Sequence, residues 1–336
     1  MLDPSSRRWA VTGATGLVGN NLVRLLRTRG AEVTVLARGS RGRPAAERRE
    51  LAGLELRVVE GDLLEEDALR RALAEADVVV HAAASVWVGM TGREEAERVN
   101  VGGTEAVCRA LPKGARLLHV SSVDALGLGT RAAPANEDTA PRPEEGGVAY
   151  VDTKRAADRA VRAAGVDHVI VHPTYMIGPW DWRPSSSQMV LEVASGKARL
   201  APSGGNNFVH VRDVCEGIVA AALGAPSGSA WVLGNENLDY FDAWTRIAAV
   251  VGAPAPIARL PRWVGSLAAG ALHVPLWLGM AEGAINPVTT RFGFVDHYFD
   301  PARARAALGL PATPLEEAVR EAWDWFGAHG YVKGGA

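Results

Sequence analysis

The segment Thr12-Gly13-Ala14-Thr15-Gly16-Leu17-Val18-Gly19 follows a short apolar run at residues 9–12 and opens a helical pattern. No other feature of the sequence narrows the fold as much. Its glycines recur as GxxGxxG, one residue longer between the first two than the usual GxGxxG. A side chain at these positions would keep backbone N–H groups away from a diphosphate. The helix that follows adds further donors and a favourable dipole at its N-terminus. A glycine triplet alone is weak, but strand, turn and helix within the first thirty residues is the context such a turn requires. Gly13, Thr15, Gly16, Leu17, Val18 and Gly19 are therefore expected to hold a dinucleotide.

The rest of the first half fits that start. Apolar runs at 32–37, 54–59, 76–81, 116–121 and 167–171 alternate with helical spacing at 21–29, 67–74, 94–110 and 150–164. Near-continuous apolar strands alternating with helices read as a parallel sheet covered on both faces. The fold class expected is α/β, a Rossmann-type doubly wound sheet whose ligand crevice lies at the strands' carboxyl ends. After His172 the alternation fails, with Pro173, Pro179 and Pro184 set among Trp180, Trp182 and three serines. We expect a nucleotide-binding region at 1–172 with a return segment near 205–234, including a strand at 229–233. Residues 173–204 and 235–330 would form a smaller, mostly helical substrate region, with an amphipathic helix at 314–328.

Charge excludes some partners. Lys+Arg number 36 against 38 Asp+Glu, a formal charge of -2, so nothing favours nucleic acid or an anionic membrane. Cys108 and Cys215 are too few for a disulfide framework or a thiolate zinc site, and no HExxH or carboxylate cluster offers a metal site. The N-terminus has no apolar signal region. The stretch 263–280 has the length of a membrane span, but His273, Pro275 and glycines interrupt it, so a buried or lid-forming helix pair is expected. A cytoplasmic protein without stable membrane insertion is the reading. Lysine is rare, with only Lys113, Lys154, Lys197 and Lys333, so a lysine's position carries information.

The second strand ends at Ala37-Arg38, where an NAD-binding chain would carry an acid for the ribose 2′-hydroxyl. A guanidinium at Arg38, with Arg41 and Arg43 close behind, suits a 2′-phosphate instead. NADP is therefore expected in preference to NAD. Asp62, in Gly61-Asp62-Leu63, is placed to meet the adenine edge.

Tyr150-Val151-Asp152-Thr153-Lys154 places a phenol and an ammonium on one helix face. A nearby cation favours the phenolate and would move the tyrosine toward the neutral range, where it can act as acid or base. Ser121 and Ser122 end the fifth strand at the crevice edge, and spacing alone does not choose between them.

TGATGLVG, His81-Ala82-Ala83-Ala84, Asn100-Val101-Gly102-Gly103-Thr104, His119-Val120-Ser121-Ser122 and YVDTK resemble the extended short-chain dehydrogenase/reductases, the superfamily of NAD(P)-dependent epimerases and dehydratases. The segments from His172 to Pro179 and from Asn207 to Val214 resemble it too. The chain is most similar to the dihydroflavonol-reductase-like branch, which includes hopanoid-associated sugar epimerases and has 3β-hydroxysteroid dehydrogenases among its relatives. The resemblance implies that Ser122 is the catalytic serine, Tyr150 the general acid/base and Lys154 the residue that tunes it and holds the nicotinamide ribose. It also implies nucleotide contacts at Leu63, Ala82, Ala83, Ala84, Asn100, Pro173 and Thr174. Two positions depart from the pattern: Leu126 replaces the usual aromatic before Gly127, and Ser122-Val123-Asp124 replaces the Thr-Asp-Glu of sugar-nucleotide dehydratases.

Substrate-contact candidates are Ser85, Val86, Trp87, Ser122, Asp124, Tyr175, Trp180, Trp182, His210 and Arg212, with 263–280 as a roof. The expected reaction is hydride transfer between NADP(H) and a carbonyl or secondary alcohol of a fairly apolar small molecule. The alternatives are a nucleotide-sugar epimerase with bound NAD and a non-enzymatic NADP sensor. The helices 94–110 and 150–164 resemble the pair that family dimers use, so a homodimer is expected.

Overall fold

The computed structural model describes residues 3–332 apart from 41, 43, 273–282, 284 and 285. In chain order the strands are β1 (Arg8–Thr12), β2 (Glu32–Ala37), β3 (Arg57–Glu60), β4 (Val78–His81), β5 (Arg116–Val120), β6 (His168–Pro173), β7 (Tyr175–Ile177), β8 (Leu200–Pro202), β9 (Gly205–His210), β10 (Ala230–Leu233), β11 (Glu236–Asp239), β12 (Ala258–Leu260) and β13 (Asp296–His297). The helices are α1 (Leu17–Thr28), α2 (Glu66–Leu73), α3 (Arg93–Ala96), α4 (Gly103–Ala110), α5 (Ala149–Ala163), α6 (Gln188–Ala194), α7 (Val211–Gly224), α8 (Tyr240–Val251), α9 (Arg262–Ala271), α10 (Pro287–Phe292), α11 (Ala302–Leu308) and α12 (Leu315–Ala328).

The main sheet has seven strands in the order β10-β6-β5-β4-β1-β2-β3, all parallel. Its order reverses between β1 and β4, which places a crevice over their carboxyl ends. Period-2 sidedness explains both layers. Val11, Val35, Val80, Leu118 and Val169 pack on Leu22, Val23 and Leu26 of α1 and on Val214 and Ile218 of α7. Ala10, Leu36, Val79, Leu117 and Ile170 pack the other way, on Leu69 and Leu73 of α2, Val107 of α4 and Val161 of α5. Both faces are apolar, so the strands read as unbroken hydrophobic runs. The 229–233 segment does return to the sheet, as β10 beside β6.

Three expectations change. The first helix begins at Leu17 rather than at 21, because Leu17 and Val18 bury their side chains as soon as the turn ends. The 94–110 helix is interrupted by a π-helical segment, Glu97–Gly102, between α3 and α4. The region beyond 173 carries short strands besides the expected helices. There β9 pairs with β7, β11 and β13 in a small sheet, and β8 pairs with β12. These strands are two to six residues long and far apart in sequence. A second core gathers around them, with Phe208, Ile247, Val319, Trp325 and Phe326 at its centre. Among the described residues no helix is long and apolar enough to cross a membrane. Residues 262–271 form α9, and 273–280 lie outside the described residues.

Candidate active site

The glycine turn is built against the loop that follows β4. Gly13 adopts φ +78, and a Cβ there would lie 2.6 Å from the carbonyl carbon of Ala82 and the nitrogen of Ala83. A Cβ on Gly19 would lie 2.2 Å from the Gly13 oxygen, so α1 can start this close to the turn only with glycine. Gly16 is exposed at the N-cap of α1, and no side chain caps that helix. The Leu17 and Val18 side chains are buried, leaving their backbone N–H groups at the helix's positive end, beside half-buried Thr15. This cradle fits a pyrophosphate.

At the end of β2, Ala37 is buried and the Arg38 guanidinium is exposed, 3.4 Å from Asp62 Oδ2. Asp62 Oδ1 accepts from the Leu64 N–H at 3.0 Å. Leu63 turns its side chain into the core, where a Cβ on Gly103 would meet it at 2.3 Å, so only its backbone can serve a ligand. Arg41 and Arg43 lie outside the described residues.

Beyond half-buried Ala82, Ala83 and Ala84, Asn100 clasps the chain. Its Oδ1 accepts from the Ser85 N–H at 2.7 Å, and its Nδ2 donates to the Ser85 oxygen and to Thr153 Oγ1, each at 3.0 Å. Asn100 sits in the π-helical segment, a local widening often found at functional sites. Behind it the Thr104 hydroxyl donates to the Asn100 carbonyl at 2.6 Å and so accepts from His81 Nε2–H at 3.0 Å. His81 Nδ1 then accepts from the Thr12 hydroxyl at 2.8 Å. This network, rather than an observed hydrogen, assigns the His81 tautomer. Pro173 ends β6 and Thr174 follows it, with the Thr174 hydroxyl spent on Asn207 Oδ1 at 2.9 Å.

Helix α5 carries Tyr150 and Lys154 on one face. Lys154 is buried, and its Nζ donates to the Val120 carbonyl at the end of β5 at 2.9 Å. Burial lowers Lys154 to about 8, against the opposing charges of Asp158 and Asp124. Ser122, next along from β5, caps a short 3-10 turn (Val123–Ala125). Its Oγ accepts from the Asp124 N–H at 3.2 Å and donates to Asp124 Oδ2 at 3.0 Å. The Tyr150 phenol is pushed upward, first by burial and then by the Asp124 charge, while the nearby Ser122 hydroxyl opposes the rise. Tyr150 is thus not drawn toward neutrality as expected from the adjacent lysine. Burial and the Asp124 charge keep the proton on Tyr150. Of the serine pair, Ser122 is the one whose hydroxyl acts on the Tyr150 phenol.

The substrate-side candidates divide. Asp124 is part of the site. Trp87 and Val86 are exposed on the loop after Ser85. Tyr175 is packed edge-on to Phe208, 5.4 Å between ring centres, and burial raises its phenol far above the usual range. Trp180 is occupied elsewhere, with the Arg24 guanidinium 3.3 Å over its ring and Trp182, Trp325 and His329 around it. His210 is also removed from the candidates, because both ring nitrogens are used. Nδ1 accepts from the Arg212 N–H at 2.9 Å as the cap of α7, and Nε2 meets Glu321 at 3.0 Å. Arg212 pairs with Glu317 and Glu321 of α12. The motif from Asn207 to Val214 therefore ties the sheet to the C-terminal helix. No metal-ligand group is found among the described residues.

The sequence profile of the NAD dependent epimerase/dehydratase family matches residues 9–234. The chain belongs to this family. Its crevice accordingly binds NAD(P), and the molecule is an enzyme of the reductase, dehydrogenase and epimerase class. A Synechocystis protein bearing a provisional dihydroflavonol 4-reductase name is 31% identical over 96% of this chain and 95% of its own length. The ceramide reductase of Caulobacter vibrioides is 31% identical over 96% of this chain and 95% of its own. The crystal structure of gox2253 superposes with a TM-score of 0.82 at 30% identity, covering 97% of this chain and 99% of that one.

Two groups were not singled out from the sequence of this family member. Tyr240, at the start of α8 beside the small sheet, is buried, and its phenol is raised by burial and by the Asp124 charge. Asp158 lies one turn beyond Lys154 on α5, and its spacing from Tyr150 and Lys154 was the available signal. His119 and His172 end adjacent apolar strands and look there like core residues.

Proposed function

We propose that this enzyme is an NADP(H)-dependent reductase of a carbonyl on a fairly apolar small molecule. The observation that carries the reading is the gathering of Tyr150 and buried Lys154 on one face of α5 against the end of β5, beside Ser122, with burial keeping the phenol protonated. When bound, the nicotinamide supplies the hydride. Ser122 Oγ orients the substrate oxygen, and Tyr150 Oη gives up its proton as negative charge develops there. The Lys154 ammonium offsets the negative charge left on the phenolate, and it would also hold the nicotinamide ribose. The reverse reaction oxidises a secondary alcohol through the same groups.

Support for NADP comes from the end of β2, where buried Ala37 replaces the carboxylate and the exposed Arg38 guanidinium can turn from Asp62 to a 2′-phosphate. Support for an apolar substrate comes from exposed Val86 and Trp87 beside the site and from the ceramide reductase among the relatives. We further propose that α4 and α5 carry the contact with a second copy of the chain in the cytoplasm. The test is mass spectrometry of nucleotides released from purified protein, followed by an NADPH-consumption screen with aliphatic and aromatic ketones and aldehydes. NADPH consumption with such ketones, lost in Tyr150→Phe, is expected. Retained NAD with no turnover of any carbonyl would replace this reading with nucleotide-sugar epimerisation.

A further inference from the structure

The main sheet ends in a row of three imidazoles. His81 of β4 and His119 of β5 are register partners with ring centres 5.5 Å apart, and His172 lies on β6, the next strand. All three are almost wholly buried. They lie under α5, whose Tyr150, Lys154 and Asp158 recur at four-residue spacing and so share one face. Asp158 Oδ2 accepts from His172 Nε2 at 2.8 Å, and Oδ1 lies 3.4 Å from His119 Nε2. A carboxylate at 8% exposure with no guanidinium on it is costly unless other positive charge faces it. His172 and His119 are its direct partners, and the Lys154 ammonium, one turn away on the same helix face and similarly buried, lies beyond ion-pair distance but close enough for its charge and that of Asp158 to act on each other.

We propose that Asp158 is a positioning residue for the catalytic lysine, its carboxylate, fixed by His172 and His119, supplying the counter-charge that holds the buried Lys154 ammonium under the site. This rests on the reading of Lys154 as the partner of Tyr150 in carbonyl reduction. The groups facing Lys154 are few. Tyr150 and Asp158 lie on its own helix, Asp124 and the Val120 carbonyl come from β5 and the turn after it, and His119, His81 and His172 line the strands below. His81 and His119 are held below the usual imidazole range by burial, so in the neutral range they add no positive charge of their own. Asp124 is engaged with Ser122, which leaves Asp158 as the carboxylate on the helix side. The burial that lowers the amine is opposed first by Asp158.

The scarcity of lysine makes a direct test practical. Labelling with lysine carrying carbon-13 at Cε gives four side-chain NMR signals, and Lys154→Arg identifies the one from Lys154. In the full chain, Asp158→Asn should move the Lys154 titration to lower pH by at least one unit, a tenfold change in its acid constant. Asp158→Glu, which keeps the charge, should restore most of that shift. A Lys154 titration unmoved by Asp158→Asn would overturn the proposal, as would an equal shift in Asp158→Glu. Thermal melts give a second reading if Asp158→Asn alone does not fold. The double variant with Lys154→Met should be more stable than Lys154→Met alone, because it removes a stranded charge. A double variant no more stable than Lys154→Met would equally sink it. Neither readout needs turnover, so failure of the reductase reading and failure of this one are separately visible.

Discussion

In the seven-stranded sheet each strand is parallel to its neighbours, and consecutive elements lie side by side from β4 to β6. Around β9 the neighbours come from residues 175–177, 236–239 and 296–297, and their directions are mixed. The first region holds the groups that the proposed reaction uses: the glycine cradle, Ser122, Tyr150 and Lys154. The second supplies an aromatic core. The division implies that chemistry and nucleotide binding can be lost without loss of fold in the first region, and the reverse in the second.

The sharpest separation is expected from Tyr150→Phe. Removing the proton donor should lower turnover by about 10²–10⁴-fold. Nucleotide affinity and melting temperature should stay close to the parent's. A variant that still reduces carbonyls at a tenth of the parent rate would show that the acid lies elsewhere, and Asp124 would be the group to examine.

Trp325→Ala makes the opposite experiment. Trp325 is buried among Trp182, Phe326, His329 and Tyr331, with ring centres 4.3–5.5 Å away. Truncating such a ring costs about 3–5 kcal/mol. Chemical denaturation should show that loss, while the dissociation constant for NADPH should not change. If nucleotide affinity falls with stability, the two cores are one cooperative unit and the division fails.

Gly16→Ala refines the first region from within. A Cβ there meets nothing closer than the Gly13 oxygen at 3.5 Å, so the chain itself tolerates it. The methyl would instead stand where a pyrophosphate approaches the α1 N-terminus. Binding measured by NADPH fluorescence should weaken at least tenfold with an unchanged melt. Gly19→Ala, with its Cβ 2.2 Å from the Gly13 oxygen, should lose stability as well.

The sheet also has a pH signature. His81 and His119 are buried neutral, with titration pushed below the ordinary imidazole value near 6.5. Once unfolded they accept protons near that value, so acid favours the unfolded chain. Stability should be fully present above about pH 6.5 and decline as pH falls below it. Comparing melts at pH 7.5 and 5.5 reads the effect, and His119→Gln should reduce it.

These contrasts also explain what was legible in the sequence. The strands of the main sheet could be read because burial on both faces makes each a continuous apolar run. YxxxK could be read because four-residue spacing fixes a shared helix face. The small sheet could not, because β7, β11 and β13 are too short for a period and β9 meets them from distant parts of the chain. His210 looked available because a histidine beside a strand does not reveal that both its nitrogens will be taken by a helix start and Glu321. The direction of the Tyr150 shift was hidden for a similar reason. Spacing places a cation near the phenol, but the weight of burial depends on every element that covers it.

Trp87→Ala should give the smallest effect, and it tests where the crevice wall begins. Trp87 is partly exposed on the loop that Asn100 clasps at Ser85, and its indole edge lies 3.3 Å from the place of a Cβ on Gly92. If the proposed apolar substrate extends out of the crevice along this loop, Trp87 is the ring it meets. Losing part of one exposed ring contact is worth at most about 1.4 kcal/mol, or roughly tenfold in affinity. KM should rise about three- to tenfold for long-chain or polycyclic ketones and stay level for the shortest ketone turned over, with kcat unchanged for both. An equal rise for every substrate would mean that Trp87 acts through Gly92 to shape the loop. The wall would then belong to the first region, with Ser85 and Asn100.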